Sequence, residues 1–437
     1  MLDILLNPIT ISVIVMCVLC LCKLNVILSI LISAMVAGLA AGMGPGSIME
    51  CLIEGLNGNG TNAIAYLLLG TFAAALADTG LAQMLARGIL KLMKERKYVL
   101  LITMVVCACI SGTIVPIHIA YIPILYPPLL AIMNRLKIDR RQAAIATEFG
   151  LVGPYITIPI GYGVIFQGII ADNMTLNGMP IELEQVWPYT VILMGGMLVG
   201  LLAGCFYYRK PRDYETVENL ASAEELQDEE FKLGREHIVS FIAIAAVLFG
   251  QLYFDSMPLG ALMGLVVMLL GGAIRLKDSD GKVAEGIRLM GTVSFVMFVA
   301  GGYANVVRNT GAVDSLIDAA IAILGTSRVA LVFVLIFIGL LITMGIGTSF
   351  GTIPVIALLY VPLCQKMGLS LGATVCLIAC AAALGDAGSP ASDSTLGPTA
   401  GLNADGQHDH IRDTCVPTFV FYNVPLFIAG FIGGMVL

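Results

Sequence analysis

Charged residues are scarce in this sequence. Asp, Glu, Lys and Arg make up 12% of its 437 residues, whereas they make up about 25% of a typical soluble domain. The chain also lacks a basic tract of the kind that binds nucleic acid, and it lacks a GxxxxGKS/T loop to hold ATP phosphates. These absences argue against a soluble protein, against a nucleic-acid partner and against coupling to ATP hydrolysis within this chain.

Residues for metal binding or hydrolysis are equally sparse. The chain has four histidines and no HExxH or Ser/His/Asp arrangement, so an intramembrane hydrolase is a weak alternative. His408 and His410 form an H-x-H pair in a polar segment, where a surface turn is the better interpretation. The 11 cysteines lie mostly inside apolar runs, which predicts small hydrophobes and no disulfide framework. We predict no enzyme activity and no cofactor, with Na⁺ or H⁺ as coupling ions only.

Apolar runs take up most of the chain. Hydrophobic residues make up 58% of it, and many runs approach the roughly 20 residues that cross a bilayer as a helix. The runs lack the alternating pattern of barrel strands, so the sequence predicts an all-α polytopic membrane protein. No basic residue precedes the first run and no small-residue cleavage site follows it, which favours a spanning helix over a removed signal peptide.

The chain compares well with itself at an offset of 231 residues. Glu54 and Gly55 recur as Glu285 and Gly286, and "ADTG" at 77–80 recurs as "RNTG" at 308–311. The pattern predicts a first repeat at residues 1–208 and a second at 237–437. A hydrophilic linker at 209–236 joins them.

Each repeat shows the same order of segments. We predict five spanning helices, a re-entrant helical hairpin and a broken helix in each. An amphipathic link precedes the third spanning run of each repeat, at 45–58 and 280–290. The hairpins fall at 98–133 and 328–364, where proline and glycine interrupt the apolar stretch; full crossings there remain an open alternative.

Basic residues predict the orientation. A basic stretch at 87–97 in the first repeat has no basic counterpart in the second, and the linker at 209–236 carries several basic residues. By the positive-inside rule the stretch and the linker are cytoplasmic, and the N-terminus is outside. An odd number of membrane-entering segments separates equivalent positions, so the second repeat is inverted. Inverted repeats with interrupted helices are typical of secondary transporters, whose sites lie where helices break.

The stretch "GDAGSPASDSTLG" at 385–397 is the strongest candidate for such a break. Glycine and proline make a continuous helix improbable there, and the freed carbonyls join carboxylate and hydroxyl oxygens of the kind that bind Na⁺. Acidic residues at membrane depth are functional by default. An exposed loop whose aspartates cap helices is the alternative. The predicted cation ligands are Asp386, Ser389, Asp393, Ser394 and Thr395.

A second carboxylate is predicted from the first repeat. Its equivalent stretch at 148–163 keeps Pro154 and Gly161 and begins with Glu148. We predict that Glu148 and Asp386 couple transport to protons, because desolvation allows a buried carboxylate to titrate. The alternative is that Glu148 pairs with Arg141 near the cytoplasmic edge.

The substrate is predicted to meet hydroxyl groups. Ser and Thr lie between apolar arms in both hairpins, and polar re-entrant tips are tolerated only where they line a cavity or are buried in protein. The alternative is that the hydroxyls bond back to their own helices. Two further candidates are His118, which has an apolar context, and Thr157, which falls opposite Asp393. The full set of predicted substrate residues is Ser111, Thr113, His118, Thr157, Thr348, Ser349 and Thr352.

Three motifs carry a family resemblance. "GDAGSPASDSTL", with "GTSFGT" before it and "HDHIRDTCVP" after it, resembles the NhaC-type Na⁺/H⁺ antiporter family, in a branch with suspected amino-acid permeases. The family pattern falls on Gly385, Asp386, Ser389, Pro390, Ser392 and Asp393. The sequence departs from it with Ala387 in place of His and Phe350 in place of Trp. The resemblance implies inverted repeats, a homodimer and an elevator-like motion.

These observations lead to one main hypothesis. The chain is predicted to be a secondary active transporter of a bacterial-type inner membrane, coupled most simply to Na⁺. Its solute is a small polar organic molecule such as an amino acid, and its partners are the lipid bilayer, that solute and a second copy of the chain. A Na⁺/H⁺ antiporter without an organic substrate is the main alternative, and a passive channel is a further one.

Overall fold

The computed structural model of the chain describes most of its residues. The described residues are 6–22, 24–56, 60–81, 97–113, 126, 129–130, 132–215, 234–254, 256–312, 315–316, 318–319, 322, 327–346, 348–390 and 392–437. Within these ranges the regular structure is helical, apart from a single bridge that pairs Leu384 with Ala387. This confirms the all-α class.

The helices are numbered here in chain order. Their bounds are Pro8–Leu21 (α1), Val26–Ala40 (α2), Pro45–Gly55 (α3), Gly60–Asp78 (α4), Lys97–Thr113 (α5), Arg140–Thr157 (α6), Tyr162–Leu176 (α7), Trp187–Tyr207 (α8), Arg235–Tyr253 (α9), Met257–Leu270 (α10), Ser279–Asn309 (α11), Arg328–Ile346 (α12), Ser349–Lys366 (α13), Leu371–Ala383 (α14), Asp393–Leu402 (α15) and His410–Val436 (α16). α16 contains two π-helical segments, at His410–Cys415 and Phe419–Asn423.

Length and composition qualify only some of these helices as spans by themselves. Among the described residues, α8, α13 and α16 are long and apolar enough to cross a membrane, and α6 with α7 adds a fourth span, bent by 47°. Several others are apolar but shorter, among them α2, α10 and α14. Short and interrupted helices of this kind are common around transporter sites, where neighbouring protein satisfies the broken backbone.

The two predicted amphipathic links differ in structure. In the first half, α3 and α4 are separate helices. In the second half, the link and the following run form one helix, the 31-residue α11. The link at 280–290 and the run after it are continuous because glycine without proline is tolerated inside a helix.

Glycines bring α11 close to α3 and α4. A Cβ atom on Gly55 would lie 2.6 Å from the Gly301 carbonyl oxygen, and one on Gly286 would lie 2.4 Å from the Thr71 nitrogen. A Cβ atom on Gly70 would lie 2.7 Å from the Gly286 oxygen. The absence of side chains at these crossings lets the backbones approach, as in other membrane helix pairs.

The crossing at Gly286 supplies a stability prediction. Gly286→Ala forces α4 and α11 apart, so we expect the free energy of unfolding to fall by about 1–3 kcal/mol. Gly281→Ala in the same helix is the matched control, because its Cβ atom meets open space and alanine favours the helix. Thermal unfolding of both variants checks this; equal midpoints for the two would contradict it.

Two helix breaks lie against each other in the molecule. α6 and α7 meet at residues 158–161, where Gly161 has φ +57°, and α14 and α15 flank residues 384–392. α15 packs on α6, so residues of the two breaks come within reach of each other. Pro154 lies inside α6; the helix ends three residues later, before Pro159.

Candidate functional site

The backbone between α14 and α15 is held in an irregular path by two glycines. Gly385 has φ +79° and Gly388 has φ +97°, a region that side chains with a Cβ atom rarely adopt. A Cβ atom at Gly388 would also lie 2.6 Å from the Phe419 Cα atom. The break therefore needs glycine at both positions, and it turns the intervening Asp386 towards the protein interior.

Asp386 is almost completely buried, with 7% exposure. Its Oδ2 atom accepts hydrogen bonds from the Tyr155 hydroxyl at 2.7 Å and from the Ser349 hydroxyl at 2.6 Å. Its Oδ1 atom accepts one from the Ser392 hydroxyl. The alternative of an exposed capping loop was wrong for Asp386, since hydroxyls from three separate elements surround it.

Glu148 on α6 is also buried, with 0% exposure. Its Oε1 atom accepts a hydrogen bond from the Ser394 hydroxyl at 2.8 Å, and its Oε2 atom has no hydrogen-bond partner among the described residues. Arg141, the alternative partner, instead donates to Asp139 at 2.6 Å. Glu148 thus faces the second-half break.

Two serines connect the carboxylates. The Ser392 and Ser394 hydroxyls lie 2.9 Å apart; Ser392 donates to Asp386 and Ser394 donates to Glu148, so the two hydroxyls bridge the space between the carboxylates. Ser394 also donates to the Asp386 carbonyl oxygen at 3.1 Å. Carboxylate, hydroxyl and carbonyl oxygens therefore converge at the break, and these are the ligand types that hard cations prefer.

The other predicted residues divide into three groups. Ser389 and Thr395 are buried in the break itself, where Thr395 donates to the Ser389 carbonyl oxygen at 2.5 Å. Thr352 donates to the Thr348 carbonyl of its own helix, and Thr157 donates to the Thr190 carbonyl, so both hydroxyls have structural partners. The side chains of the remaining candidates lie outside the described residues, and these are Ser111, Thr113, His118 and Asp393.

Two residues that donate hydrogen bonds to Asp386 were not among the predicted site residues. Ser392 stood inside the motif but was left out of the predicted ligands. Tyr155 belongs to the first half and meets Asp386 across 231 residues of chain. The only signal for Tyr155 was its position beside Pro154 in the stretch equivalent to the second-half break.

A buried ion pair lies at one end of α6. Arg140 donates to both carboxylate oxygens of Asp405 at 2.5 Å, and the two side chains are 0% exposed. Arg140 also donates to the Leu402 carbonyl at 2.9 Å, and its guanidinium lies 4.2 Å from the centre of the Tyr214 ring. The start of the linker, the start of α6 and the turn after α15 are therefore joined.

His408 belongs to the same turn and is buried, with 2% exposure. The predicted surface turn was wrong at this residue, whose Nε2 atom lies 2.7 Å from the Thr414 hydroxyl. Burial lowers the pKa of His408 to about 4, against a partial opposing effect of Asp413. His410 is less buried, and its Nε2 atom lies 3.0 Å from the Pro390 carbonyl oxygen.

The lowered pKa of His408 predicts a pH dependence of stability. Between about pH 6.5 and pH 4 the unfolded state binds a proton at this residue and the folded state does not. The contribution of neutral His408 to stability should therefore be fully present above about pH 6.5 and should be lost as the pH falls towards 4. We expect His408→Gln to flatten the decline in thermal midpoint from pH 7 to pH 4.5; an unchanged slope would contradict the assignment.

The fold and the site together define a class of protein. Apolar helices, two of them broken, with one buried carboxylate at a break and a second facing it, are the features of a secondary transporter. Solved structures agree in fold. The structure of Neisseria gonorrhoeae MtrF, which represents a class of antimetabolite efflux pumps, matches with TM-score 0.59 and 16% identity. The match covers 89% of this chain and 84% of the MtrF chain. The Alcanivorax borkumensis YdaH transporter matches with TM-score 0.59 and 12% identity over 89% and 88%.

Sequence comparisons are more specific. The model of the Na⁺/H⁺ antiporter family matches residues 146–431, and a second Na⁺-H⁺ antiporter family matches residues 7–93. Bacillus subtilis YuiF, provisionally named an amino acid transporter, is 45% identical over 99% of this chain and 100% of its own length. A Vibrio parahaemolyticus membrane protein is 43% identical over 99% of this chain and 100% of its own length. The chain belongs to the Na⁺/H⁺ antiporter family. It is a membrane transporter and not an enzyme, as the motifs predicted.

Proposed function

We propose that the chain is a Na⁺-coupled transporter of a small polar organic solute such as an amino acid. One observation carries the proposal: Asp386 and Glu148, from opposite halves of the chain, are buried and joined by the Ser392 and Ser394 hydroxyls. Two buried carboxylates are costly to hold in a membrane protein unless a cation or a proton compensates them.

Na⁺ binds at the second-half break in this proposal. Its ligands are oxygens of Asp386, Ser389, Asp393, Ser394 and Thr395. Ser392 belongs with them, because its hydroxyl bridges Asp386 and Ser394. The Oε2 atom of Glu148, which lacks a partner among the described residues, takes a proton or faces the ion. One Na⁺ then offsets the charge of Asp386 when Glu148 carries the proton.

The solute binds next to the ion, at the start of α13. Ser349 lies there, and its hydroxyl touches both Asp386 and Tyr155. The affinity for a solute that bonds to Ser349 and Thr348 would therefore depend on whether a cation is bound at Asp386. The YuiF relative, with its amino acid transporter name, supports an amino acid as the solute.

The architecture proposed for this activity is a pair of inverted repeats, 1–208 and 237–437, joined by a cytoplasmic linker. Gly55 against Gly301 and Gly286 against Gly70 are equivalent contacts at the 231-residue offset, which supports the repeats. We place the chain in a bacterial-type inner membrane with its N-terminus outside. An elevator-like motion of a homodimer is the transport mechanism that this arrangement favours.

Thermal stabilisation of the purified protein tests the proposal. A ligand that binds only the native state raises apparent stability, so the protein is heated with and without Na⁺ in a panel of amino acids and dicarboxylates. We expect one class of solute to raise the midpoint only when Na⁺ is present. Stabilisation by a solute that is indifferent to Na⁺ would overturn the coupling.

A Na⁺/H⁺ antiporter without an organic solute is the second candidate. The unpartnered Oε2 atom of Glu148 favours it, because that atom is a place for an exchangeable proton. In this case Na⁺ and pH shift the midpoint and no solute does. The same experiment therefore separates the two candidates.

A further inference from the structure

The Phe350 ring is enclosed by other aromatic rings. Phe350 lies in the first turn of α13 and faces four rings from α4, α6 and α7. The distances between ring centres are 5.7 Å to Tyr66, 5.4 Å to Tyr155, 5.8 Å to Tyr162 and 6.0 Å to Phe166. We call these four residues the aromatic box. Its spacing and tilts are those of attractive ring pairs, so the four rings hold a planar ring, here that of Phe350.

The box adjoins the carboxylate site. Tyr155 forms one wall with its ring, while its hydroxyl donates to Asp386 at 2.7 Å. Ser349, next to Phe350 in the chain, donates to the same carboxylate oxygen. A solute with a polar end at Ser349 and Asp386 would therefore extend its other end into the box.

Tyr66 contributes a second and independent observation. It is 1% exposed, and its hydroxyl has no hydrogen-bond partner among the described residues. Buried hydroxyls without a partner are rare in native proteins and ask for an explanation. Tyr66 and Tyr155 both pack against Phe350, and the Tyr155 hydroxyl donates to Asp386, so the Tyr66 hydroxyl belongs to a ring cluster that adjoins the carboxylate.

We infer that the aromatic box binds the side chain of the solute, which is an amino acid with a planar ring, and that the Tyr66 hydroxyl bonds one of its polar atoms. The ring of the solute takes the place of Phe350. Phe350 lies in "GIGTSFGT", whose glycines leave the backbone before and after it room to adjust. This inference rests on the proposed function and specifies its substrate class.

Ligand shape tests the inference first. In the presence of Na⁺, L-phenylalanine, L-tyrosine and L-histidine are compared with L-cyclohexylalanine, which has a similar size but a saturated ring. We expect the best planar ligand to bind about tenfold more tightly than cyclohexylalanine, because ring pairs add attraction beyond area burial. Equal affinity for both would overturn the planar-ring assignment.

Tyr66→Phe tests the hydroxyl without removing the ring. We expect the affinity for the stabilising amino acid to fall about tenfold, while the midpoint of the ligand-free protein stays the same or rises. Tyr360→Phe is the matched control, because the Tyr360 hydroxyl donates to the Leu335 carbonyl. That variant should lower the midpoint and leave the affinity unchanged. If Tyr66→Phe behaves like Tyr360→Phe, the hydroxyl is structural and the inference fails.

The two proposals fail in different ways. Binding of an aliphatic or dicarboxylate solute that depends on Na⁺, with no planar ligand bound more tightly, supports the proposed function and overturns this inference alone. No binding of any solute overturns both. Binding of planar amino acids that Tyr66→Phe weakens, but that Na⁺ does not affect, supports the aromatic box and overturns the Na⁺ coupling.

Discussion

Asp386→Asn is expected to abolish Na⁺-dependent solute binding and uptake, with a fall in Na⁺ affinity of about 100-fold or more. The change keeps the size of the side chain and removes the charge that three hydroxyls surround. Without that charge the break loses the carboxylate to which its surrounding hydroxyls donate. Uptake of the stabilising solute into vesicles, driven by an imposed Na⁺ gradient, measures the effect.

Asp78→Asn is the control for this prediction. Asp78 also ends an apolar helix, but its carboxylate is 59% exposed and pairs with Lys282 at 2.5 Å. Exposed pairs contribute little, about 0–1 kcal/mol, so uptake by this variant should match the wild type. If Asp386→Asn transports with an unchanged Na⁺ dependence, the cation does not bind at the break.

Arg140→Ala is expected to lower the free energy of unfolding by about 3–5 kcal/mol, because it leaves a buried carboxylate without its counter-ion. Asp405 is 0% exposed in its side chain and receives two of the hydrogen bonds of the guanidinium. The Leu402 carbonyl loses a donor as well. The fluorescence of Trp187, the single tryptophan of the chain, follows unfolding in detergent.

Arg141→Ala supplies the matched comparison, since the two arginines are adjacent in α6. The Arg141 side chain is 32% exposed, and its partner Asp139 also lies 3.8 Å from Arg212, so removal of Arg141 should cost less than about 1 kcal/mol. Replacing the pair together, as Arg140→Met with Asp405→Leu, should recover most of the loss. Equal effects of the two single variants would show that the Arg140 pair is not buried in the functional state.

The Arg140 pair also bears on the site. Glu148 lies eight residues further along α6, which is about 12 Å along a helix axis. The ion pair holds that helix to the turn after α15, while Ser394 at the other end of α15 bonds Glu148. A loosened pair should therefore weaken Na⁺ binding in the folded protein, in addition to lowering its stability.

Some of the site could be predicted from residue patterns and some could not. The break at 385–397 followed from glycine, proline and acidic residues in an apolar context, and Glu148 followed from the comparison of the two halves. Tyr155 did not, because a tyrosine in an apolar run is equally typical of core packing. The end of α6 did not follow from proline either, because Pro154 remains inside the helix, where neighbouring protein satisfies the freed carbonyl.

The sequence by itself determined the class of the protein and the position of its break. Long apolar runs must form helices in lipid, since every backbone group needs a hydrogen-bond partner. Acidic residues inside such runs are costly and therefore indicate a functional site. The tertiary structure alone decided which groups meet: Tyr155 with Asp386, Glu148 with Ser394, and Phe350 with the aromatic box. These contacts join residues far apart in the chain, so they depend on which helix faces pack together, and no local pattern records that choice.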